Sequence, residues 1–377
     1  GPVAAGLLVQ VGGWRAVFVA EAAAALIAAG VGAALLPESA DPPHGRGDLR
    51  GQVFAALTLA ATTFALIDGQ DRGFGATRVV VAWVVAAASA VAFVSVERRQ
   101  EEPVIDLALL RDRRVAAGLL AAAASTFALF AVLLLVSLDL QIVGEFSGLR
   151  TAAVFAPMTV AMVVAGPLGG RWVGRHGPAP PLVGGLLLAA AACTWLDVAL
   201  VRPIPLASTI SALTLMGAGF GLVVAPMVGT VLARVPARRS GMGAAAVTAA
   251  REVGGVVGVA VLGAVVNGLL FTKLTTRLVD QGIPVSYRRV VVDAVRSGSP
   301  LPTSRPPTDG SFLERYVAAI QQQLIDRTVD AGKAAYVDSV RTALIVAIAV
   351  LVAGAVGVAV LLGHTERDTP NSVGAAC

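Results

Sequence analysis

The chain has 377 residues, 56% of them hydrophobic and 14% charged, with a net charge of +5 at pH 7. A mean hydropathy of +0.79 is far above that of a water-soluble domain, which excludes one and leaves a multi-pass membrane protein. The positive charge is nearly all arginine, Lys273 and Lys333 being the lysines; it gathers in turns between apolar segments, which argues for membrane topology and against a nucleic-acid partner.

An α-helix needs about 20 apolar residues to cross roughly 30 Å of hydrocarbon. Residues 1–9 read as the end of a helix, and a turn at 12–15 leads into a span at 14–36. A Pro/Gly loop follows at 37–45, then spans at 49–67 and 77–96 and a charged stretch at 97–114. Residues 116–177 read as a helical hairpin, two spans joined by a short polar turn and closed by an Arg/Gly-rich one. Further spans are expected at 182–200, 206–232, 242–271 and 343–362, giving nine complete helices and the tail of a tenth. The fold class expected is all-α, a polytopic membrane helix bundle. The chain begins at Gly1 rather than Met, inside what reads as a helix end, and a preceding portion is expected.

Residues 272–341 form the one long hydrophilic region, with a Pro-rich linker at 297–310. From 312 to 340 apolar residues such as Leu313, Tyr316, Ile320 and Ile325 recur at helical spacing, which predicts either an amphipathic helix on the membrane or bundle mouth, or a solvated loop helix. The turns at 97–114, 171–180 and 234–241 hold more arginine than those at 71–75, 144–150 and 202–205. The first set is therefore expected in the cytoplasm, with 272–341 outside and the tail inside.

Ionisable groups within spans are the sharpest functional candidates, each costing roughly 2.5–3.5 kcal/mol at mid-helix unless it finds an interior partner or water. Glu21 and Asp139 are such groups, each readable as a proton site or as an interfacial acid. Asp68 and Asp197 stand at helix ends and read as interfacial. Arg251 and Glu252 are adjacent, so they point about 100° apart and are expected to pair with neighbouring helices in a gating or structural salt bridge. Pro157 and Pro226 interrupt spans, as kinks or hinges. Gly254, Gly258 and Gly263, and likewise Gly217 and Gly221, form small-residue stripes that read as close helix crossings. No phosphate loop, metal-ligand spacing or nucleophile–base pattern occurs, so neither an enzyme nor a cofactor or metal site is expected. Cys193 and Cys377 form no plausible disulfide pair.

Three stretches carry a resemblance. GPVAAG at residues 1–6, followed by GGWRAVF at 12–18, resembles the end of the antiporter motif in major facilitator superfamily exporters. Residues 139–177 resemble that family's Gln, Gly, Ser, Gly, Pro series in its ninth and tenth helices, and residues 241–263 its thirteenth-helix signature. In order and spacing they resemble the fourteen-helix drug:proton antiporters, from the end of helix five through helix fourteen. The resemblance implies a remnant of the N-terminal bundle at 1–36, two extra linking helices and a cytoplasmic loop at 37–114, a C-terminal six-helix bundle at 115–362, and a tail at 363–377.

It also implies roles for residues. Gln141, Phe155 and Pro157 fall at the substrate cavity, and Gly1, Pro2 and Gly6 serve close packing in the antiporter motif. Arg251 takes a recurrent arginine position. Arg175 takes the arginine position of a degenerate cytoplasmic loop in which Gly174 replaces the acid. The function implied is proton-coupled efflux of small amphipathic or cationic compounds by a monomer in the plasma membrane. Its partners are the lipid bilayer, the small-molecule substrate and protons. The principal proton-coupling acid of the family lies in its first four helices, so residues 1–377 alone are not expected to transport. Two rival readings are an exporter of a lipid or secondary metabolite, and a non-transporting scaffold that binds a partner through 272–341.

Overall fold

A computed structural model describes residues 2–35, 49–99, 111–200, 204–236, 239–283, 285, 288 and 312–367. The order is α1 (Pro2–Leu35), α2 (Leu49–Arg72), α3 (Thr77–Glu97), α4 (Arg113–Leu138), α5 (Gly148–His176), α6 (Ala179–Ala199), α7 (Leu206–Leu232), α8 (Ser240–Asp280) and α9 (Phe312–Arg367). All nine are long and apolar enough to cross a membrane. Helices are what the composition dictates, because in hydrocarbon each backbone N–H and C=O must be satisfied within its own segment. Their starts follow local chemistry. Asp112 caps α4 by accepting from the Arg114 and Val115 backbone N–H groups, and Ser147 caps α5 by accepting from that of Arg150. Pro180 and Pro181 stand in the first turn of α6, where a missing N–H costs nothing.

One expectation holds at the start of the chain and another changes. Within α1 the helix end at 1–9 and the span at 14–36 are two helical pieces divided by a kink at Gly13, inside the turn expected at 12–15; its φ of 70° is one only glycine takes without strain. The segment at 312–340 is the first half of α9, continuous with the last span, rather than an amphipathic helix laid on the membrane or across the bundle mouth. At about 60 and 84 Å, α8 and α9 exceed the bilayer, and the last turns of α8 pack on the first half of α9. Leu274, Leu278 and Ile283 bury against Ala331 and Ala335, Arg277 pairs with Asp338 at 2.6 Å, and Lys273 Nζ donates to the Asp338 carbonyl at 2.5 Å. The periodicity had a real apolar face behind it, but the surface that covers this face is α8. The Pro-rich linker at 297–310, the side chains of 312–321 and the tail beyond Arg367 lie outside the described residues.

Helices α4 to α9 form one bundle, with α4 packed against α7, α8 and α9. Its core includes Phe220, Leu182, Leu186, Leu213 and Met216. Helices α2 and α3 pair with each other and lean on α8 through α2, while α1 rests on α5. Lipid gives apolar helices no drive to associate, so close backbone approach has to hold them. A Cβ on Gly254 or Gly258 of α8 would run into the Ala123 and Phe127 carbonyls of α4; one on Gly217 or Gly221 of α7 would meet the Met158 and Met162 carbonyls of α5. Thr126 adds a hydroxyl donated across the first crossing to the Arg251 carbonyl at 2.7 Å. Pro226 leaves the Leu222 carbonyl without its helical donor, and Gly169 lies against that same carbonyl.

Gly258→Val is therefore expected to lower stability in detergent by about 1–3 kcal/mol, through overpacking against α4. Gly268→Ala, where nothing lies within 4 Å of the added Cβ, should stabilise α8 by up to about 1 kcal/mol. Thermal unfolding of the two variants checks the pair.

Candidate functional site

Helix α4 does not stop at Leu138 but widens into a π-helical turn at Asp139–Val143. The Gly144 N–H reaches back five residues to the Asp139 carbonyl at 2.9 Å, and the Phe146 N–H six residues to that of Leu140 at 2.9 Å. Such widened turns re-aim side chains and recur at functional sites. Here Asp139 is turned inward, 3% exposed, with Leu140 and Val143 also buried. Gln141 is exposed and donates from Nε2 to Ser137 Oγ at 2.7 Å.

Tyr336 of α9 meets this turn. Its hydroxyl donates to the Leu135 carbonyl at 3.1 Å, the carbonyl that also receives the Asp139 backbone N–H. The phenol and the Asp139 backbone N–H thus meet on one acceptor, at the start of the turn that carries the buried carboxylate. Tyr336 also lines a cavity of about 520 Å³ between α2, α4, α8 and α9. Phe130 and Leu134 of α4 and Val256 and Val259 of α8 form its apolar wall, while Thr63, Glu252 and Asn267 are polar points on it. On α8 the lining residues repeat at helical spacing from Glu252 to Asn267, so one face of that helix borders the cavity for about 22 Å.

The residues singled out in the sequence are thus only partly brought together. Glu252 lines the cavity wall, and Asp139 is buried in the turn that follows the lining residues Leu135 and Leu138. Phe155 is buried in the bundle core, Pro157 is half-buried within α5, and neither lines this cavity. Glu21 is exposed on α1. Arg251 is half-buried, with an Nε that has no hydrogen-bond partner among the described residues. Arg175 is exposed in the last turn of α5, where a cation complements the helix dipole. Gly6 lies against Leu149 and Ala152 of α5, with Pro2 in the first turn of α1; Gly1 lies outside the described residues.

Tyr336 was missed, because it falls in a stretch whose charge content reads as loop. A second feature missed is the outer tie between Lys333 of α9 and Glu145, at 2.6 Å. Glu145 follows the π turn with a φ of 56°, an uncommon conformation for a side-chain-bearing residue. The hydrogen bond from Lys333, and then its charge, hold the Glu145 carboxyl below its ordinary value.

The Major Facilitator Superfamily model matches residues 1–259. The multidrug resistance protein Stp of Mycobacterium tuberculosis is 29% identical over 93% of this chain and 63% of its own length. A probable actinorhodin transporter of Streptomyces coelicolor is 33% identical over 74% of this chain and 50% of its own length. The tetracenomycin C resistance and export protein of Streptomyces glaucescens is 28% identical over 81% and 58%. The chain thus spans between half and two thirds of the length of these relatives.

A carboxyl with a depressed folded-state pKa adds stability above its unfolded value, and that contribution is lost as pH falls through the folded one. The Glu145–Lys333 tie should therefore persist at neutral pH and release in acid, below the ordinary carboxyl value of 4.5. A spin-label distance between the 144–147 turn and α9 should stay constant down to about pH 4.5 and widen below it. In Lys333→Ala it should be wide at every pH.

Proposed function

The chain belongs to the major facilitator superfamily, and on that premise we propose that it carries the cavity-bearing part of a secondary active transporter in the plasma membrane. It exports small amphipathic or cationic compounds in exchange for protons, as a monomer that alternates between facing states. The observation that carries this reading is a carboxylate, Asp139, buried in the turn that directly follows the cavity-lining Leu135 and Leu138 within a membrane-length helix bundle. A charge at that depth is expensive when it has only a structural use and useful when it titrates. Protonation removes the cost of burial, so the proton-loaded and proton-free forms favour different packings of the same helices. A cavity of about 520 Å³ is within the range of small-molecule sites, and its mostly apolar wall suits amphipathic compounds.

The substrate reading has a second form. Two of the relatives are named for actinorhodin transport and tetracenomycin C export, which favours a secondary metabolite as the cargo. Either cargo uses the same cavity and the same carboxylate. Glu21 is the other proton candidate; its exposure on α1 supports it less than burial supports Asp139.

The test is efflux of a lipophilic cationic dye from an efflux-deficient bacterial host that expresses the full open reading frame. Asp139→Asn should cut uncoupler-sensitive efflux at least tenfold at unchanged membrane abundance, while Glu21→Gln should leave most of it. Wild-type efflux from Asp139→Asn would remove the carboxylate from the mechanism, and an absence of efflux from the wild type would point to the scaffold reading.

A further inference from the structure

Tyr336 is tied to three things at once, and no other described residue shares all three. Its ring forms part of the cavity wall. Its hydroxyl rests on the Leu135 carbonyl, where α4 gives way to the π turn. Its phenol stands at the start of the turn that holds the buried Asp139 carboxylate. The Leu135 carbonyl is shared between that hydroxyl and the Asp139 backbone N–H, so one acceptor joins the turn that aims the carboxylate to the ring that bounds the cavity.

We propose that Tyr336 is the positioning residue through which the protonation state of Asp139 is communicated to the cavity. This rests on Asp139 as the proton site. With Asp139 ionised, its field draws the positive end of the O–H dipole toward the carboxylate and weakens its hold on the Leu135 carbonyl. In a water-poor interior that field is poorly screened. With Asp139 protonated the field is gone and the hydroxyl keeps its full hold on the carbonyl. The ring is rigid, so any rotation that re-aims the hydroxyl also moves the cavity wall. Two discrete hydroxyl positions therefore correspond to two shapes of the cavity.

Other ionisable groups sit on the elements packed around this point. On α9, Lys333 is held by Glu145 and Asp338 by Arg277; Arg341 lies five residues beyond Tyr336 with a buried Nε that has no hydrogen-bond partner among the described residues. On α8, Lys273 bonds the Asp338 carbonyl and Thr342, and Glu252 lines the cavity. At the start of α5, Arg150 stacks over the Phe146 ring. On α6, Asp197 has a buried Oδ1 without a hydrogen-bond partner among the described residues, and on α2, Asp68 pairs with Arg72. Tyr336 alone among these both borders the cavity and shares an acceptor with Asp139.

The test is equilibrium binding of a lipophilic cationic dye to the purified full-length protein from pH 5 to 9, for the wild type and for Asp139→Asn, Tyr336→Phe and Glu252→Gln. Wild-type affinity should change at least fivefold across this range, and Asp139→Asn should flatten the profile. Tyr336→Phe keeps the ring and removes the hydroxyl. It should bind within about twofold of the wild type at one end of the range, yet show the flat profile of Asp139→Asn. Glu252→Gln should shift affinity at every pH and keep the slope. A Tyr336→Phe profile with the wild-type slope, alongside a flat Asp139→Asn profile, would overturn the role given to Tyr336 while leaving Asp139 in place. An Asp139→Asn profile with the wild-type slope would overturn both. If Tyr336→Phe fails to fold, Tyr336→His, which keeps a ring donor, should restore part of the slope; a folded Tyr336→His with a flat profile counts against the proposal.

Discussion

Everything in this molecule depends on how closely α4 and α8 approach. In lipid nothing pushes apolar helices together, so the two are held by backbone against backbone where Gly254 and Gly258 leave room for the Ala123 and Phe127 carbonyls. Straight helices that touch at one level separate beyond it. The cavity residues Leu134 and Leu138 on α4, and Val259, Gly263 and Asn267 on α8, all come after that contact in the chain. The small-residue crossing therefore holds the two helices together along one side of the cavity, whose lining on α8 starts at Glu252, level with the crossing, and extends past it to Asn267.

That geometry determines what the polar groups can do. A regular helix through residues 139–143 would set the phase of each side chain by its 100° step. The π turn changes this phase and brings the Asp139 carboxylate inside at the level of Tyr336. The turn itself is held from outside the bundle, by Lys333 on Glu145, and from within, by the Tyr336 hydroxyl on the Leu135 carbonyl. Both holds come from α9. The long helix that runs on along α8 is thus also the element that braces the turn carrying Asp139.

The spans were legible in the sequence because hydropathy over 20 residues is a strong signal, and the glycine stripes because their spacing matches one helix face. Asp139 stood out for the same reason that it is costly. Gln141 did not join it: two residues further along the π turn its side chain is exposed and donates to Ser137 instead. The fate of 312–340 was not legible: its apolar period is compatible with a membrane surface, a bundle mouth or another helix, and only tertiary packing selects α8. Tyr336 was hidden by its charged neighbours Lys333 and Asp338, which mark an extramembrane segment while the tyrosine between them reaches back to α4. Phe155 came from a motif, and core packing rather than the cavity took its side chain.

The most direct measurement is the water accessibility of α8 in the membrane. Single cysteines at Val256, Val259 and Asn267, in a background lacking Cys193 and Cys377, would be exposed to a membrane-impermeant thiol reagent. A cysteine at Leu262, which is fully buried, and one at Val84 on the open face of α3 provide the comparison. Labelling at 256, 259 and 267, its suppression by bound dye, and silence at 262 and 84 are expected. Silence at all five positions, or equal labelling at all five, would contradict a wet passage bounded by α8.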